Sequence, residues 1–95
     1  MKKLLNQYNI IMKSENLPKN ILAFYVEVNN QPYVVMSDIL HTDMHEFILY
    51  ACIYFKENNL KSGKITIFDL ENKDFEPFNY ARKELKRKCI VKNIV

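Results

Sequence analysis

His41 and His45 stand one helical turn apart, with Cys52 further along the same stretch, and these are the side chains best suited to hold a transition metal. A His pair at i, i+4 shares one side of a helix, and a thiolate two turns on would be a soft third ligand. On a helical wheel the three fall within roughly 40° of one another, and Asp38 adds an oxygen donor. Cys52 nevertheless lies about 10 Å along the axis from His45, and neither C-x-x-C nor H-E-x-x-H accompanies the set. The residues therefore read as two surface or capping histidines and one core thiol, with no metal and no cofactor expected.

Asp69, Glu71 and Lys73 spell D-x-E-x-K, whose E-x-K part matches metal-dependent nucleases. There, carboxylates hold a divalent ion and the lysine helps polarise the attacking water. Such a site needs a further carboxylate from a neighbouring element, and Asp38 is the candidate. The tripeptide is common, and a solvated turn collects the same residue types without any chemistry. A Ser-His-Asp order, a phosphate-binding glycine loop and a Cys-His pair with an orienting group are all missing. The expectation is a protein that is not an enzyme, with a metal-dependent hydrolase or nuclease around Asp69–Lys73 as the alternative.

Charge gives a stronger lead. Residues 1–78 hold eight Lys/Arg against ten Asp/Glu, whereas residues 79–95 hold Arg82, Lys83, Lys86, Arg87, Lys88 and Lys92 against Glu84 alone. Phe75, Phe78 and Tyr80 precede the cations, an interleaving that suits phosphate neutralisation with base stacking. The same face would steer an acidic protein partner. The plain reading is a solvated face whose cations favour the helix dipole. No recognised nucleic-acid-binding signature accompanies it.

The run Phe47–Phe55 contains nine apolar residues in succession. At about 100° per residue it covers every side of a helix, and it is well short of the roughly 20 residues that span a membrane. Such a helix must be covered on more than one side. Met44, Phe47, Ile48, Ala51 and Phe55 cluster on the side expected to lie on a sheet. Leu49 and Ile53 lie opposite, flanked by Glu46, Tyr50, Lys56 and Glu57. Leu49, Tyr50 and Ile53 are thus the expected anchors of a homodimer, an apolar centre within a polar rim. The alternative is cover from the first or last helix of the same chain.

The supporting elements follow from periodicity. Met1, Leu4, Leu5, Tyr8, Ile11 and Met12 are at helical spacing and predict a first helix over about 2–13. A hairpin spans 21–36 around Asn29-Asn30, with Leu22, Phe24, Val26 and Val28 read as the core face of its first strand. A helix over about 42–58 follows, with Asp43 and Glu46 as a capping box and Asp38 or Thr42 as alternative caps. Then come a strand at 64–70, a short strand at 75–78 carrying Pro77, and a basic helix over about 79–88. The fold class is α+β: a mainly antiparallel sheet packed by helices. This order resembles the roadblock-type dimerisation folds, whose central helix packs across a twofold axis. The resemblance is one of element order, since Asn29-Asn30 stands where those domains carry hairpin glycines.

With 95 residues and no linker or repeat, the chain reads as one domain, 1–95. Eleven asparagines against one glycine, Gly63, mean that turns needing positive φ rely on Asn. The N-terminus begins like a secretory signal but turns polar within a few residues. Two cysteines, Cys52 and Cys89, make no disulfide framework, so the chain reads as cytoplasmic and not membrane-bound. Together these observations predict a small, non-enzymatic binding or regulatory protein. It would self-associate through its central helix and present Arg82, Lys83, Lys86, Arg87 and Lys88 to an acidic partner, protein or nucleic acid. A phage or mobile-element factor that blocks a host protein is a further alternative for a small chain rich in Lys, Asn and Ile.

Overall fold

Asparagine bends this chain where glycine ordinarily would. Asn9, Asn20, Asn29, Asn30 and Asn59 all take positive φ, whereas Gly63 does not. The computed structural model describes residues 1–94, with side chains through Lys88. Its elements are α1 (Lys2–Tyr8), β1 (Ile11–Glu15), β2 (Ile21–Val28), β3 (Gln31–Ser37), α2 (His45–Glu57), β4 (Ser62–Thr66) and α3 (Glu76–Ile94). Short 3-10 segments occupy Thr42–Met44 and Ile67–Glu71. The fold is α+β, as expected. The sheet is mixed, in the order β1-β3-β2-β4, with β1 parallel to β3 and the other pairs antiparallel.

Several boundaries differ from the sequence expectation, each for a local reason. The first helix stops at Tyr8 instead of reaching 13. Asn9 turns left-handed (φ 55, ψ 42), its N–H donates to the carbonyl of Asn6, and Ile10 N–H reaches that of Leu5. This is a helix-closing pair of bonds around an αL residue. Residues 11–15 then pair with the free edge of β3 as a strand that helical spacing had concealed. Asn59 (φ 59) closes α2 in the same manner, with Leu60 N–H bonded to Phe55 O at 2.9 Å. The expected capping box of Asp43 and Glu46 does not form. Instead His41 Nδ1 accepts from Asp43 N–H at 3.2 Å and starts the 3-10 segment that leads into α2.

The strand expected at 64–70 ends at Thr66. There Asp69 Oδ2 accepts from Thr66 N–H at 2.8 Å and from Thr66 Oγ1 at 3.2 Å, which curls the chain into the 3-10 segment. No strand forms at 75–78. Glu76 opens α3 and Pro77 falls in its first turn, where a missing N–H costs nothing. The hairpin is as expected: Asn29 and Asn30 lie between the Val28–Gln31 pair, both left-handed. That is the two-residue turn which matches strand twist.

α2 is the middle layer of three. On its sheet side, the Phe55 and Tyr25 rings stack with centroids 6.2 Å apart. On its other side Phe47 meets Phe78 of α3 at 5.0 Å and Tyr54 meets Tyr80 at 5.9 Å. Phe47, expected on the sheet side, packs on α3. Leu4, Leu5 and Tyr8 of α1 also pack against the core. Nine successive apolar residues through the middle of α2, Phe47–Phe55, are what a helix covered on more than one side requires.

The core face of β2 is also reversed, except at Leu22, which is buried beside the register shift between Ile21 and Ala23. Ala23 and Tyr25 lie under the helices, while Phe24, Val26 and Val28 face away from them. At Gly63 on this inner face α2 approaches the sheet closely. A Cβ built on Gly63 would come within 2.5 Å of the Phe55 ring. Gly63→Ala is therefore expected to lower stability by about 1–3 kcal/mol through overpacking, read as a reduced urea midpoint. An unchanged midpoint would contradict the close approach.

Candidate binding surfaces

α3 turns most of its cations to solvent. At about 100° per residue, Arg82, Lys83, Lys86 and Arg87 share one face, opposite the buried Phe78 and Ala81. Arg82 Nη2 donates to Asn79 Oδ1 at 3.0 Å, and Arg87 pairs with Glu84 at 3.3 Å. Lys88 departs from the expected cluster: it reaches across to Glu46 of α2 at 2.7 Å and serves to fasten α3. Lys92 lies outside the described side chains. Every exposed residue from 76 to 88 is polar or charged. The aromatic groups expected to stack on bases are buried or half-buried. Phe78 is buried, Phe75 packs edge-on against it at 4.8 Å, and Tyr80 leans on Tyr54.

Leu49 and Ile53, the expected dimer anchors, are both 0% exposed within their own chain. A second copy cannot reach them, so the cover is supplied internally. Tyr50 is half-buried and lines a shallow cleft with Glu84, Arg87 and Lys88, where burial pushes its hydroxyl pKa up. The central helix thus does not lie open for packing across a twofold axis, as the roadblock-type order had implied.

The catalytic candidates are dispersed or occupied. Asp69 spends its Oδ2 on the Thr66 cap, while Asp38, Glu71 and Lys73 are exposed. His45 Nε2 lies 3.2 Å from Leu40 O. Cys52 is fully enclosed, and burial pushes its thiol up to about 12, far from the range of a reactive or metal-binding thiolate. Cys89 lies outside the described side chains. Among the described residues no group of three His, Cys, Asp or Glu side chains is placed to hold a metal, and no helix is long and apolar enough to cross a membrane.

One surface was missed by sequence reasoning. The face of the sheet turned away from α2 carries Phe24, Val26 and Val28 of β2 beside Tyr33 and Val35 of β3. A groove of about 650 Å³ crosses it, lined by Leu17, Phe24, Val26 and Val35 with Glu15 and Lys64 at its margins. The signal was partial: Leu22, Phe24, Val26 and Val28 on one face of β2 compete for the core with Ala23 and Tyr25 on the other. Comparison with protein-family models, curated proteins and solved structures found no match to this chain.

Proposed function

We propose that this is a non-enzymatic binding protein whose α3 docks on the phosphate backbone of nucleic acid. The observation that carries the reading is the solvent face formed by Arg82, Lys83, Lys86 and Arg87, on which no exposed apolar side chain appears among residues 76–88. A folded acidic protein is ordinarily held by buried apolar or aromatic anchors, whereas a phosphate polymer needs cations alone. With Phe78 buried and Phe75 and Tyr80 half-buried against Phe78 and Tyr54, little aromatic surface is left for base stacking, so contact is chiefly to the backbone and without sequence preference. Asp69, tied to Thr66, leaves the nuclease alternative short of a free carboxylate pair. A cytoplasmic location belongs to the same reading, and an enclosed Cys52 thiol suits it.

Anisotropy titration of a labelled DNA duplex across a salt series tests this. Four phosphate contacts limit the slope of log K against log salt to about −3.6, with binding that is weak near physiological salt. The triple substitution Arg82→Ala, Lys83→Ala, Lys86→Ala should weaken low-salt binding by about tenfold or more and flatten that slope by up to about 2.7. EDTA should change neither affinity nor duplex length. Equal binding by both proteins, or binding to polyglutamate but not to the duplex, would overturn the reading.

A further inference from the structure

We propose that the open face of the sheet is the contact between two copies of this chain. An antiparallel sheet with one face in water ordinarily alternates apolar inside with polar outside. Here the central strands break that rule. In the open-face rows, Val26 pairs with Tyr33 and Phe24 with Val35, and the next position along β2 is Val28, 48% exposed. Apart from Gln31 opposite Val28 at the hairpin end, the polar groups of this face lie on the two edge strands. Lys13 and Glu15 flank β3 on one side, and Ser62 and Lys64 flank β2 on the other. Lys13 Nζ sits over the Tyr33 ring at 6.0 Å, which fixes both side chains on this face. An apolar centre inside a charged rim is the anatomy of a protein contact.

The rim points to a second copy as the occupant. It carries both signs, unlike the solvent face of α3. Lys13 and Glu15 project from the same side of β1, two residues apart, roughly 7 Å. A twofold axis crossing the strands between them sets Lys13 of each copy against Glu15 of the other, the reciprocal pairing that an isologous interface demands. Size agrees with a modest dimer. Four strands about 4.8 Å apart and some 20 Å long give a flat footprint of roughly 400 Å² per copy, before side-chain relief is counted. Two such faces total about 800 Å², in the range of weak, transient contacts, so dissociation in the micromolar range or weaker is expected. This contact is independent of the nucleic-acid reading, since it uses the opposite side of the molecule from α3.

Sedimentation velocity over a dilution series tests it, with Val26→Lys as the first variant. The wild-type chain should form a dimer that weakens on dilution, and Val26→Lys should raise its dissociation constant by about a hundredfold while the circular dichroism spectrum stays native. The rim is tested separately. Glu15→Lys alone should weaken the dimer about tenfold, and adding Lys13→Glu to it should restore most of the loss. If Val26→Lys fails to fold, this restoration decides: recovery supports the contact, and indifference to both rim changes overturns it. A wild-type chain that stays monomeric well above micromolar concentration overturns it as well. So does a dimer that a folded Val26→Lys leaves intact.

Discussion

Leu49→Ala and Ile53→Ala are each expected to lower the unfolding free energy by about 2–5 kcal/mol, measured by urea denaturation. Both side chains are fully enclosed by their own chain, so truncation removes apolar contact and leaves a cavity. For a domain of this size that is a large share of the total stability. The loss should not depend on protein concentration, because no second copy contributes to either site. Leu49→Glu goes further: it places a carboxylate where neither water nor a cation can reach it, and an unfolded or aggregated chain is expected. A folded Leu49→Glu protein, or a cost below about 1 kcal/mol for the alanines, would mean that α2 is less enclosed than described.

Stability should also fall steeply in alkali. Burial pushes Cys52 from 9.0 to about 12, and burial with the nearby Glu27 carboxylate pushes Tyr25 from 10.0 to about 12. Tyr50 and Tyr80 are raised too, burial again being the leading cause. Below pH 9 both the folded and the unfolded chain keep the Cys52 proton, so its contribution is constant. Between 9 and about 12 the unfolded thiol ionises while the folded one holds its proton. The unfolded state then binds fewer protons, and stability drops by about 1.4 kcal/mol per pH unit from this group alone. The tyrosines add to the slope from about pH 10. Urea midpoints should therefore be flat from neutral pH to about 9 and fall beyond it. Cys52→Ala, though less stable throughout, should show a shallower fall. Parallel curves for the two proteins would contradict the assignment.

Much of the architecture was legible because its causes are local. The Asn29-Asn30 turn, the long apolar helix and the use of Asn in left-handed positions all depend on residues adjacent in sequence. β1 was not legible, since Ile11 and Met12 continue the helical spacing of Leu4, Leu5 and Tyr8. Only the closing geometry at Asn9 and the distant free edge of β3 convert them to strand. The orientation of β2 was hidden because both its faces carry apolar residues. The side carrying Ala23, Tyr25 and Gly63 turned inward, and the side carrying Phe24, Val26 and Val28 was left out. The cations of α3 could be read as exposed, but their neighbours could not. Phe75, Phe78 and Tyr80 look like stacking groups until α2 is laid beside them. Lys88 joined the cluster by charge and left it by position, one flank around the helix, where Glu46 holds it.

The strand order has a consequence for assembly. β3 lies between β1 and β2 and bonds to both, although it is the last of the three in the chain. The sheet cannot grow in the order in which residues are joined. β2 and β3 meet through a two-residue turn, a short and rapid closure, and offer a free edge only once paired. β1 must wait for that edge, and its connection to β2 has to pass the end of β3 to reach it. The first fifteen residues are thus latecomers to a sheet that the hairpin founds. Their docking reports that the rest of the sheet is already in place.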